Sequence, residues 1–196
     1  MPVTGRVLYL VGGAPGVGKS SLAQLLVRSE GISWLPTDVV RTVLRRVCAE
    51  VDRVDCDPVD ADRLAEVMYP HIEQAAAVCA EQPGRFLIEG VEVVPWYPAR
   101  LRAALHGVQI RACFLGHRTF PAGDLAAARR GPRPQHGSLA PPAETRAEVW
   151  VRQRSQQLAQ QCRDAALPYV DVGEGGFDAA MQRAWLHLMT SPIDRR

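Results

Sequence analysis

Short apolar runs alternate with longer amphipathic stretches along this chain. Val7-Leu8-Tyr9-Leu10-Val11 is an unbroken apolar run of strand length, as expected of a strand covered on both faces. The same pattern predicts strands over residues 6 to 12, 32 to 37, 85 to 89, 108 to 115 and 168 to 172. Between them, apolar positions at helical spacing predict helices over 18 to 29, 39 to 49, 60 to 81, 96 to 105, 142 to 166 and 177 to 190, with a basic segment over 117 to 137. Strand and helix in alternation indicate a parallel sheet with helices on both faces. The expected fold class is therefore α/β, a doubly wound five-stranded parallel sheet whose ligands bind beyond the carboxyl ends of the strands. No internal repeat or linker interrupts the pattern, so residues 1 to 196 are expected to form a single domain.

Composition narrows the class. A chain of 196 residues with 47% hydrophobic residues suits one substantial core. The net charge of +2, with 22% charged residues, is too balanced for a nucleic-acid or membrane surface. The chain has no apolar run of about 18 residues, and Met1 to Arg6 leads almost directly into the first strand, so a cytoplasmic protein without a secretory leader is expected. Cys48, Cys56, Cys79, Cys113 and Cys162 are odd in number and lack a C-x-x-C, which suits reduced thiols. Cys79 and Cys113 fall in apolar stretches and are expected in the core. The five histidines show no metal-ligand spacing. The oligomeric state is not readable, and a homodimer is left open.

The chemistry is concentrated first at Gly13-Ala14-Pro15-Gly16-Val17-Gly18-Lys19-Ser20, which fits G-x-x-x-x-G-K-[ST] and lies between a predicted strand and a predicted helix. Glycines let the backbone turn tightly, so that successive N–H groups point at the α- and β-phosphates of a nucleotide. Lys19 would reach the β- and γ-phosphates, and the Ser20 hydroxyl would ligate the bridging Mg²⁺. The helix dipole adds to the attraction, and Ser21 completes the expected contacts. Lys19 is the only lysine among 23 Lys and Arg residues. The arginine bias is compositional; the retention of this one ammonium is the informative part.

Further candidates fall at the ends of the other strands. After the second strand, a helix beginning at Asp38 would carry Arg41, Thr42 and Arg45 on one face; the alternative makes Asp38 merely the helix cap, which would not need an arginine face behind it. The third strand ends in Glu89-Gly90, where a carboxylate could support Mg²⁺ through water; Glu92, two residues beyond Gly90, competes for that role. After the fourth strand come Arg118 and then Arg129, Arg130 and Arg133 in a Gly- and Pro-containing stretch, read as an arginine lid over about 117 to 137 or else as a basic helix end. Five aspartates between Asp52 and Asp62 tilt the expectation towards a neutral or cationic acceptor, or form a solvated loop with Asp60 as a cap. Pro95-Trp96-Tyr97-Pro98 could wall a pocket or pack on the sheet.

Taken together, the phosphate loop, Thr37-Asp38-Val39-Val40-Arg41, Leu87-Ile88-Glu89-Gly90-Val91-Glu92 and the arginine lid resemble small P-loop kinases, among them the 2-phosphoglycerate kinase and chloramphenicol phosphotransferase types. Glu92 stands where a histidine follows the glycine-valine pair in the phosphoglycerate kinases. The resemblance covers about residues 6 to 173. It implies the P-loop NTPase fold and an ATP- and Mg²⁺-dependent phosphotransferase acting on a hydroxyl of a small molecule. It further implies that Asp38 receives the acceptor proton, that Arg41 and Arg45 bind the acceptor, and that the adenine edge is met at Asp171-Val172-Gly173-Glu174. A nucleotide or coenzyme kinase, and a regulatory ATPase switch, are the alternatives.

Overall fold

The computed structural model of the chain describes residues 6–53, 61–120 and 146–190. Five parallel strands, β1 (Arg6–Gly13), β2 (Ser33–Pro36), β3 (Arg85–Gly90), β4 (Val108–Gly116) and β5 (Tyr169–Asp171), lie in the order β2-β3-β1-β4-β5. The described helices are α1 (Lys19–Glu30), α2 (Thr37–Leu44), α3 (Ala49–Asp52), α4 (Ala61–Glu81), α5 (Tyr97–Ala104), α6 (Arg146–Asp164) and α7 (Phe177–Thr190). All five predicted strands are present, and no end moves by more than a residue or so.

The central strand explains the two-layer core. Val7, Tyr9 and Val11 of β1 face α1 and α7, while Leu8 and Leu10 face α4 and α5, so alternate residues serve opposite layers. Tyr97 is completely buried in the second layer and donates to the Ala65 carbonyl at 2.6 Å, which settles Trp96-Tyr97 as packing rather than a pocket wall. Cys113 is buried as expected, but Cys79 is only half-buried.

The single helix predicted over 39 to 49 is instead two. It starts earlier, at Thr37, and ends at Leu44, where Arg46 N–H bonds to Val43 and Val47 N–H to Leu44 in the tighter i to i−3 pattern. Val39, Val40, Thr42, Val43 and Val47 are β-branched and weak helix formers, so little resists the turn. Asp38 is accordingly the second helical residue and not the cap, a place taken by Pro36.

Every strand delivers its carboxyl end to one rim: the phosphate loop after β1, Thr37 and Asp38 after β2, Glu89 in β3, His117 and Arg118 after β4, and Asp171 in β5.

Candidate active site

The phosphate loop is shaped by backbone that only glycine accepts. Gly18 caps α1 at φ 93°, and a Cβ there would lie 2.5 Å from the Phe177 ring, so α7 closes over the loop where no side chain fits. α1 ends in the same way, on left-handed Gly31 at φ 62°, whose N–H reaches the Val27 carbonyl at 3.1 Å. Lys19 is 7% exposed and donates to the Ala14 carbonyl at 2.8 Å. Its ammonium is therefore held across the turn formed by Ala14, Pro15, Gly16 and Val17.

Ser20 Oγ lies 3.5 Å from both carboxylate oxygens of Glu89, joining the first turn of α1 to the end of β3. Glu89 is buried, and this burial raises its pKa; the nearby Lys19 ammonium pulls the other way and Asp38 adds to the rise. A hydroxyl and a carboxylate beside the Gly13–Ser20 turn form an oxygen-only donor set. Such a set fits Mg²⁺, which takes one or two protein oxygens and fills the rest of its shell with phosphate and water.

Glu92 is bound quite differently. It is completely buried, accepting from Thr37 Oγ1 through Oε2 and from Arg41 Nη1 through Oε1. Arg41 Nη2 in turn donates to Asp38 Oδ1 at 2.6 Å, and Asp38 is 70% exposed at the rim. Thr42 Oγ1 donates back to the Asp38 carbonyl at 2.7 Å. A chain of charge-assisted bonds thus runs from the buried Glu92 through Arg41 to an exposed carboxylate. Gly90 makes it possible: a Cβ there would overlap the Thr37 hydroxyl and come within 2.8 Å of Thr37 Cβ. Both Glu92 oxygens are thereby committed to protein donors, which separates it from Glu89 as a metal-supporting group. Arg45 sits just past the end of α2 and is exposed.

At the β5 end, Arg118 Nε donates to Asp171 Oδ2 at 2.7 Å and its Nη2 to Glu174. Asp171 Oδ1 accepts from Gly173 N–H at 3.0 Å, so this carboxylate ties Arg118 to the turn containing Gly173. Arg183 reaches the carbonyl oxygens of Asp171 and Glu174 from α7 at 3.2 and 2.7 Å. The structure thus brings Arg118 to the predicted base-side turn. Arg129, Arg130 and Arg133, with the lid from residue 121 onward, lie outside the described residues, as do Asp55, Asp57 and Asp60.

Two participants were not legible beforehand. Thr37 was read only as the residue before Asp38, and nothing in the sequence announced that its hydroxyl meets Glu92. Arg154 was missed as well: it is 3% exposed on α6 and donates from Nη1 to Asp62 Oδ1 at 2.8 Å. The available signal was an arginine within the buried helical stripe Val151, Ser155, Leu158, Cys162.

No protein-family model matches the chain. The 2-phosphoglycerate kinase of Thermococcus kodakarensis is 33% identical to it over 112 residues, covering 47% of this chain and 39% of that protein. The chain therefore spans well under half the length of this curated relative. In fold, a gluconokinase from Sinorhizobium meliloti 1021 superposes with a TM-score of 0.53 at 15% identity, covering 95% of this chain and 93% of that one. The Deinococcus radiodurans tunicamycin resistance protein gives a TM-score of 0.51 at 16% identity, covering 91% and 93%. At such identities the likeness establishes the fold alone, an α/β parallel sheet flanked by helices.

Proposed function

We propose that the chain is a Mg-ATP-dependent phosphotransferase that moves the γ-phosphoryl group to a hydroxyl of a small-molecule acceptor. The observation that carries this reading is the convergence at one rim of Lys19, the Ser20–Glu89 pair and the Glu92–Arg41–Asp38 chain. The partial sequence similarity to 2-phosphoglycerate kinase supports it.

In this reading the amides of Gly13 to Ser21 cradle the phosphates, and Lys19 exchanges the Ala14 carbonyl for the β,γ-bridge, where charge builds up in the transition state. Ser20 would hold Mg²⁺, with Glu89 supporting it through water; the metal supplies charge neutralisation between the β- and γ-phosphates. Asp38 is exposed where an acceptor can approach, and it orients the hydroxyl and takes its proton. Arg41 fixes that carboxylate through the bond at 2.6 Å, so most of the orienting is done before the acceptor arrives. Because Arg41 is itself bound to Glu92, we assign it to positioning Asp38 and leave contact with the acceptor to Arg45. Arg118 serves the base side through Asp171 and the Gly173 turn, and Arg129, Arg130 and Arg133 are proposed to close over the phosphates.

Since Lys19 is the only lysine, an amine-reactive probe tests the nucleotide half directly. Mg-ATP should protect one side chain and leave the amino terminus reactive. Equal labelling with and without Mg-ATP would contradict the assignment.

A further inference from the structure

The phosphate loop has a second flank. Opposite α1, a cavity of about 10 Å³ lies between the loop, α4 and α6, lined by Gly13, Pro15, Leu64, Val91, Trp150 and Arg154. That volume holds about one water-sized group. Trp150 and Arg154 are four residues apart and so share a face of α6. Each contributes a buried donor without a hydrogen-bond partner among the described residues, Trp150 Nε1 and Arg154 Nη2. The other guanidinium nitrogen, Nη1, is occupied by Asp62 at 2.8 Å and Gln157 at 3.4 Å.

Other buried polar atoms also lack partners among the described residues, but these two donors, one of them on a nearly fully buried cation, face the same cavity. Among the described residues the other lining side chains, those of Gly13, Pro15, Ala61, Leu64 and Val91, bring no acceptor. Among the described residues no acceptor remains for these two donors, and the guanidinium favours a charged one. We infer that Arg154 and Trp150 form a subsite for one oxygen of an anionic group, a phosphate or carboxylate, carried by the acceptor. This rests on the phosphotransferase reading only for the word acceptor; the anion site stands on its own geometry.

The acceptor is preferred to the nucleotide as the source of the anion because of where the cavity lies. It joins the loop to α4 and α6, next to Val91 between Glu89 and Glu92, whereas the Ser20–Glu89 contact lies at the first turn of α1 and neither residue lines the cavity. Asp62, one of the aspartates that tilted the sequence towards a cationic acceptor, holds a cation in place here instead of recruiting one.

The four indole N–H groups, of Trp34, Trp96, Trp150 and Trp185, give separate signals in a ¹⁵N-labelled protein, and Trp150→Phe identifies the relevant one. With Mg-ADP bound, adding inorganic phosphate or glycolate should move the Trp150 signal downfield saturably, while chloride at equal ionic strength should not. Arg154→Met should weaken that titration at least tenfold and Arg154→Lys less so. Should Arg154→Met not fold, calorimetric phosphate binding to Trp150→Phe and Arg154→Lys decides, with weaker binding expected for both. A Trp150 signal that ignores both anions, or titrations and affinities unchanged by these substitutions, would overturn the inference. Repeating the titration with a non-hydrolysable ATP analogue separates the sources. A further phosphate shift on top of the analogue supports the acceptor, whereas an analogue that moves the signal alone and blocks phosphate overturns that assignment. If Mg-ADP fails to bind the wild type, the nucleotide reading fails, and the phosphate titration of the nucleotide-free protein still tests the anion site.

Discussion

Glu89 and Glu92 are three positions apart, both buried, and held in opposite ways. Glu89 stands at the proposed nucleotide flank with a long contact to Ser20 and the Lys19 ammonium and Trp34 indole nearby, and burial raises its pKa. Glu92 stands at the proposed acceptor flank with both oxygens taken by Thr37 and Arg41. A loosely held carboxylate keeps its lone pairs for something that arrives later; a fully bonded one has become part of the scaffold. The two flanks should therefore respond differently to substitution, one in turnover and the other in stability.

The largest effect is expected at the nucleotide flank. Lys19→Ala removes a charge aimed at the transferring group and should lower kcat by about 10²–10³-fold, or about 3–4 kcal/mol of transition-state stabilisation, with little change in Tm. Steady-state kinetics with a melting curve check this, and a comparable loss of Tm would erase the distinction between the flanks.

Glu92→Ala should behave in the opposite sense. It takes the buried acceptor from both Thr37 and Arg41, and breaking a buried pair from one side costs about 3 kcal/mol. Urea unfolding should show that loss. In the folded fraction the acceptor KM should rise, because Asp38 loses its anchored partner, while the KM for ATP stays near wild type.

The pH dependence of stability sharpens the contrast. Because burial raises the Glu89 pKa, the folded chain holds this proton to higher pH than the unfolded chain does. The stability tied to it is complete below the unfolded value of about 4.3 and is lost as pH rises through the folded value. Glu89→Gln cannot ionise, so nucleotide-free melting curves should place it at or above wild type at pH 8, with the gap closing towards pH 4. A variant less stable than wild type at pH 8 would show that the ionised carboxylate is well solvated or paired after all. The same substitution should raise the Mg²⁺ needed for half-maximal activity.

The smallest effect belongs to Arg118→Ala. Its guanidinium is 42% exposed, so losing the ion pairs with Asp171 and Glu174 should cost no more than about 1 kcal/mol. Freeing the Gly173 turn should raise the KM for ATP more than it lowers kcat.

The proposed nucleotide flank stands out in the sequence because its candidate chemistry lies in consecutive backbone: eight residues from Gly13 to Ser20 carry the glycines, the ammonium and the helix start. The strands were readable for a similar reason, since an apolar run such as Val7 to Val11 records burial on both faces locally. The acceptor flank is assembled from side chains far apart in sequence. Glu92 meets Thr37 across 55 positions, and Arg154 meets Asp62 across 92. Neither distance leaves a periodic trace. Of the face read from helical spacing, Asp38, Arg41 and Thr42 come together while Arg45 falls just past the end of α2, and the buried end at Glu92 was not read, because it belongs to another strand's loop. The split after Leu44 was missed for a related reason: apolar spacing continues through Cys48 and Val51 although the backbone turns.

The most direct test of a phosphotransferase follows the label. Incubation with γ-labelled ATP, Mg²⁺ and a panel of small hydroxyl compounds, including hydroxy acids, phosphorylated acids, sugars and nucleosides, should move label onto at least one acceptor. Asp38→Asn should abolish that transfer while keeping Mg-ATP affinity within a few-fold. Label recovered only as slowly released free phosphate, at a rate unchanged in Asp38→Asn, would contradict the account and point to a nucleotide-dependent switch.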